Sequence, residues 1–148
     1  MFTENPEDFI YNSSIGVHAV SPEGIVVYAN KCELEVLGYT KSEYVGHHVS
    51  EFQFDKSCLE QMMIKLAKFE PFSNFPAMVC GKHKMKYILY SSNVYVEGGE
   101  FVHTRCFGNE ISEPVSKSPF KLSNNECVIS YSVNEKKYYF INNKYLLF

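Results

Sequence analysis

The sequence predicts an α+β domain, a five-stranded antiparallel sheet with short helices on one face. Three observations carry that prediction. Two short apolar runs, Ile15 to Val20 and Ile25 to Tyr28, flank Ser21-Pro22-Glu23-Gly24, where Pro presets one turn dihedral and Gly accepts a positive one, so the pair reads as a β-hairpin. From Asp55 to about Phe69 the apolar residues Leu59, Met62, Met63 and Leu66 recur at helical spacing, with Glu60, Lys65 and Lys68 on the opposite side. Lys86 to Asn93 and Phe101 to Phe107 then read as two strands joined across Glu97-Gly98-Gly99-Glu100. With one more strand around Phe72 to Val79, helices fall between the second and third of five strands, and the sheet must be antiparallel.

Each element has a local cause. Asn5-Pro6-Glu7-Asp8 is a helix start, with Asn as cap, Pro at the first helical position and two carboxylates at the positive end of the dipole. The helix carries Phe9 and Ile10 as its apolar side and is too short to stand alone in water, so it must dock on something. After the hairpin, Asn30 caps a second helix in which Cys32, Val36 and Leu37 share a face, and Gly38 stops it. Thr40-Lys41-Ser42-Glu43 has the pattern of a capping box and starts a single turn ended by Gly46. His47 to Phe54 is a connector, and Asp55 caps the long helix that forms one wall of any hollow. Pro76 cannot donate to a sheet ladder, which places the third strand at an edge or across a bulge.

Composition narrows the function. A chain of 148 residues has the size of one ordinary domain. Its net charge of −3, with a single Arg (Arg105) and scattered lysines, offers no stripe for a row of phosphates, so nucleic acid is not an expected partner. No apolar run approaches the ~20 residues of a membrane helix, and the start MFTENPEDF has no basic and apolar blocks of a signal peptide. A cytoplasmic location without a membrane is expected. Five widely spaced cysteines, without a Cys-x-x-Cys pair, read as reduced small hydrophobes rather than as a disulfide frame or zinc site. No Gly-x-Ser-x-Gly elbow, phosphate loop or phospho-acceptor His with a kinase dimerisation pattern occurs, so no enzyme is read here.

Ile15-Gly16, Glu23-Gly24, Tyr28-Ala29-Asn30, Leu37-Gly38-Tyr39-Thr40, Glu43-Tyr44-Val45-Gly46 and Glu110-Ile111-Ser112 follow one another in the order and spacing of a PAS domain. The chain resembles PAS modules of bacterial-type sensor histidine kinases, in which a Gly-His-His run and a His-Thr-Arg-Cys-Phe run stand at the places of Gly46 to His48 and His103 to Phe107. Lys82-His83-Lys84 departs from the Lys-Asp-Gly usual at that hairpin. The resemblance implies a leading helix over residues 1–13, a PAS domain over 14–113 and a tail over 114–148, for which a hairpin around Asn134 to Lys137 and a poorly ordered segment both stay open. It also implies a helix leaving for an effector after Ser112. Pro114 and Pro119 in Glu113 to Pro119 break such a helix, at ~3 kcal/mol each.

A PAS domain implies a sensory module of signal transduction, with a hollow between helices and sheet that takes a small ligand. Its polar candidates are Asn30, His47, His48, Ser91, Asn93 and Thr104, and its apolar wall is Phe52, Met62, Met63, Leu66 and Leu89. Flavin and haem are the cofactors weighed. Photosensory LOV members carry Gly-x-Asn-Cys-Arg-Phe-Leu-Gln where Gly46 to Gln53 lie; Val49 replaces their reactive thiol, and Cys58 is more than two helical turns further on. Oxygen-sensing members take their axial His from the long helix, which has none here, although His47 and His48 sit just upstream and Met62 and Met63 lie on it. For both cofactors ordinary packing is the stronger reading. The same holds for a metal at His47-His48 with His18 or His103, since neighbouring loop side chains diverge and no further ligand is fixed by spacing. The alternative function is a ligand-free interaction module, a homodimer or a complex with another signalling protein formed through the exposed sheet face and the leading helix.

Overall fold

A computed structural model describes residues 1, 3–111, 127–132 and 137–142, the last two segments by their backbone. The order is α1 (Pro6–Tyr11), β1 (Gly16–Val20), β2 (Val26–Ala29), α2 (Lys31–Leu37), α3 (Lys41–Tyr44), α4 (Lys56–Ala67), β3 (Phe72–Cys80), β4 (Met85–Glu97) and β5 (Glu100–Ile111). Five strands form one antiparallel sheet in the order β2-β1-β5-β4-β3. A separate antiparallel hairpin pairs β6 (Cys127–Ser132) with β7 (Lys137–Asn142). The expected effector-helix break at Glu113 to Pro119, and the turn at Asn134, lie outside the described residues.

The turns obey their chemistry. Gly24 takes φ 85 between β1 and β2, and Gly98 and Gly99 take φ 60 and 87 between β4 and β5, values that a side chain resists. The two long strands run further than the sequence pattern shows, because the cross-strand ladder continues through Val94 and Tyr95 opposite Thr104 and His103. β3 is both an edge strand and bulged, between Phe72 and Phe75, which accommodates Pro76. β2, the other edge, is covered by the connector after α3: Val26 N–H donates to His47 O at 2.9 Å, Gly46 N–H to Val26 O at 2.7 Å and Val49 N–H to Gly24 O at 2.8 Å.

The core lies between the sheet and α2, α3 and α4. Val26, Leu37, Tyr44, Phe52, Cys58, Met62, Val79, Ile88 and Tyr90 are buried there. Tyr44 and Phe52 pack at 4.6 Å between ring centroids, and Tyr39 closes on Phe52 at 5.1 Å. α1 differs from the rest. Asn5 caps it as expected, accepting from Glu7 N–H at 2.8 Å, yet it has no buried residue and leaves Phe9, Ile10 and Tyr11 largely exposed.

α2 corrects the expected helix face. Cys32 and Val36 are only half-buried, whereas Glu33, a charged residue, is buried beside Leu37. The reason is the joint between β1 and α2. Asn30, fully buried, makes five side-chain hydrogen bonds: its Oδ1 accepts from Val17 N–H and Glu33 N–H, and its Nδ2 donates to Ile10 O, Ser13 Oγ and Ile15 O. One side chain thus fixes the exit of α1, the start of β1 and the cap of α2, and delivers Glu33 under the sheet. Gly16 leaves the space that the carboxylate needs, since a Cβ there would collide with Glu33 Oε2.

Replacing Asn30 by Ala strands the buried N–H groups of Val17 and Glu33, and is expected to cost about 2–4 kcal/mol in urea denaturation. A loss below about 1 kcal/mol would show that the joint is held by something else.

Candidate functional site

Three elements converge on a hollow beneath α4. Met62, Met63 and Leu66 hang from the helix, His18 and Val20 rise from β1, Thr104 and Cys106 from β5, and Tyr90 and Ser92 from β4. Val49 and Gln53 close it from the connector. Strand alternation explains the choice: Tyr90 and Ser92 on β4 stand opposite Gly108 and Cys106 on β5, and Cys106 stands opposite His18 on β1. The hollow measures about 30 Å³. That admits one or two waters, against the roughly 300–1,000 Å³ of a cofactor-sized pocket. Flavin and haem do not fit it in this conformation.

The polar floor of the hollow is an unusual group for a core. His18 Nδ1 lies 2.8 Å from Glu33 Oε1, both side chains buried, and Tyr44 donates its hydroxyl to the same oxygen at 3.2 Å. Cys106, the cross-strand neighbour of His18, lines the hollow beside it. Burial by itself disfavours an imidazolium, and Cys106 and Glu33 together overcome it, so His18 holds its proton well above the ordinary imidazole range. Burial, with Glu33 second, pushes the Tyr44 phenol upward, and it stays a neutral donor. Thr104 Oγ1 accepts from Val20 N–H at 3.0 Å and retains its own proton to give. Gln53 is the exception to this satisfaction. It is 5% exposed, and its Oε1 is buried without a hydrogen-bond partner.

Of the candidates chosen from the sequence, the structure brings Met62, Met63, Leu66 and Thr104 together around the hollow. It places the others elsewhere. Asn30 is committed to the β1–α2 joint, and Phe52 to the aromatic core with Tyr39 and Tyr44. His47 pairs with Glu51 at 3.2 Å on the surface, and His48 caps the short turn after it while its ring packs against Gly24. Leu89, Ser91 and Asn93 alternate with Tyr90 and Ser92 and so point to the other face of the sheet, where Ser91 Oγ accepts from Asn74 N–H. Residues absent from that choice, His18, Gln53, Ser92 and Cys106, complete the lining. Among the described residues there is no group of three or more His, Cys, Asp or Glu side chains placed to hold a metal ion, and no helix is long and apolar enough to cross a membrane.

No family model matches the chain, and no curated protein matches it in sequence. Solved structures do match in fold. The PAS domain of an HTR-like protein from Haloarcula marismortui superposes with TM-score 0.61 at 18% identity, over 71% of this chain and 88% of that one. A PAS domain from a two-component sensor histidine kinase gives TM-score 0.59 at 12% identity, over 70% and 90%. An RNA-binding light-oxygen-voltage receptor gives TM-score 0.64 at 14% identity, over 70% of this chain and 31% of its own, so this chain spans under a third of that receptor. The five-stranded antiparallel sheet with its helices is the PAS fold.

A proton held by His18 in the folded state stabilises below the unfolded value near 6.5 and ceases to do so as pH rises through the folded value. The stability difference between the wild type and His18→Gln, read by denaturation at several pH values, is therefore expected to be largest near pH 6 and to shrink towards pH 9. A difference that grows with pH would mean that His18 is buried neutral.

Proposed function

We propose that this chain is a non-catalytic sensory module of signal transduction whose hollow beneath α4 receives a small polar ligand. The observation that carries the reading is Gln53 Oε1, a buried acceptor without a partner in a hollow that also holds the Thr104 hydroxyl. Leaving such an oxygen unpaired costs about 1–3 kcal/mol, which a ligand with one hydrogen-bond donor recovers on entry. Met62 and Met63 give the adaptable side of the wall, since an unbranched thioether repacks around an occupant more readily than a branched residue. Phe69, in the link after α4, takes φ 60, and Asn74, in the bulge at the start of β3, takes φ 52, left-handed positions that cost energy in a non-glycine residue. α4 is thus the element best placed to shift, and the ligand's differential affinity for two positions of α4 is the signal.

A second reading rests on the opposite face. α1 exposes Phe9 and Ile10 beside a groove of about 780 Å³, walled by Val17, Ala19, Val27 and Phe107 from the outer side of the sheet. An apolar helix face over an apolar sheet supports a homodimer or a complex with another signalling protein. On that reading Phe9→Asp is expected to convert a dimer to a monomer in light scattering, and a mass unchanged by the substitution would contradict it.

The ligand reading predicts an opposition between stability and binding. Gln53→Met removes the orphaned oxygen, and thermal denaturation is expected to show a gain of about 1 kcal/mol. The same change is expected to abolish the shift that methanol, a probe little larger than water with one donor, produces at the Thr104 amide in ¹H–¹⁵N spectra. A loss of stability, with the methanol response intact, would remove the basis of the reading.

A further inference from the structure

We infer that Cys106 is a peroxide-reactive thiol, set in a Cys106–His18–Glu33 arrangement at the floor of the hollow, and that hydrogen peroxide or a peroxide of similar size is what the hollow admits. The inference rests on the reading of the hollow as the sensing site and names its ligand. Three features meet there. Cys106 and His18 are directly opposed on β5 and β1, where Cβ atoms come within about 5 Å, and both side chains line the hollow. Glu33 Oε1 takes the His18 ring nitrogen Nδ1 at 2.8 Å, which orients the imidazole and leaves Nε2 uncommitted to that pair. The third is independent of the cysteine: Gln53 Oε1, buried and unpaired, lines the same hollow and lacks only a donor.

The size of the hollow selects the reactant. About 30 Å³ holds a molecule little larger than water, and hydrogen peroxide brings two O–H donors and an electrophilic O–O bond. One O–H donates to Gln53 Oε1, which holds the peroxide over the sulfur. The nucleophilic form of a cysteine is the thiolate, and His18 faces Cys106 across the strand pair. The thiolate attacks the nearer oxygen; an S–O bond forms, the O–O bond breaks, and the departing hydroxide takes the His18 proton to leave as water. Sulfur is oxidised from thiolate to sulfenic acid and the peroxide is reduced, with no further reactant. The product hydroxyl then fills the hollow and supplies the donor that Gln53 lacks. Neutral His18 no longer balances the buried Glu33 carboxylate, so the change reaches the β1–α2 joint.

Cys58 is the internal reference, equally buried and donating its thiol to Pro76 O. The full chain is exposed to micromolar hydrogen peroxide at pH 7, unfolded into dimedone to cap sulfenic acids, and mapped by peptide mass. Cys106 is expected to be capped at least tenfold faster than Cys58. Gln53→Met, which leaves the His18–Glu33 pair untouched, is expected to slow Cys106 several-fold, and His18→Gln by tenfold or more. Equal rates at Cys106 and Cys58, or a Cys106 rate indifferent to Gln53→Met, would overturn the inference. If in addition methanol shifts the Thr104 amide of the unsubstituted chain, the peroxide is wrong and the sensing hollow stands; if that response is absent too, both fall.

Discussion

Burying a carboxylate under a sheet is the constraint from which the rest of this structure follows. Glu33 is tolerable there only because His18 and Tyr44 converge on one of its oxygens, while Gly16 makes room for the other. Those partners come from β1 and α3, so the carboxylate fixes both elements against α2. Asn30 adds the backbone half of the same joint. Its amide spans donors and acceptors from Ile10 to Glu33, and replacing it by an apolar residue would leave those groups in a dry interior. A purely hydrophobic joint of the same size would hold, but it would not dictate which turn of α2 faces the sheet.

The hollow is a consequence of that polar floor. His18, Thr104 and Cys106 occupy strand positions where leucines or phenylalanines would fill the space up to α4. Met62 and Met63 partly close what remains, and Gln53 is pushed into it from the connector that also protects the β2 edge. A core optimised for stability would not keep an unpaired amide oxygen in such a hollow. Such a departure is the mark of a position shaped by something other than packing.

The backbone was largely legible in the sequence. Asn5, Asn30 and Asp55 cap the helices they precede, Gly38 at φ 80 ends α2, Thr40 and Glu43 form the expected box, and Pro76 marks an edge. Half of the hollow was legible too, because helical spacing alone puts Met62 and Leu66 on the inner side of α4. The remainder was hidden for physical reasons. Pattern reading assigns charged residues to water, so Glu33 passed as surface although Cys32 is the more exposed. His18 and Cys106 meet only through the β1–β5 register, across a separation that no local period reports. His47 and His48 drew attention by adjacency, but their backbone serves the β2 edge and their rings face outward. Ser91 and Asn93 lie one position out of phase with Ser92, and a period of two sends them to the opposite face. The signal that would have found the floor is a histidine in a strand of otherwise apolar residues, followed fifteen residues on by a glutamate just inside a helix cap.

The account stands on the hollow being an unfinished polar site rather than an ordinary packing defect. A crystal structure of the chain at a resolution that places individual waters tests this most directly. The account predicts a water or small molecule within about 3 Å of Gln53 Oε1, also in reach of the Thr104 hydroxyl or Cys106. A Gln53 amide turned onto a protein donor, with the space above Cys106 dry and filled by methionine, would contradict it.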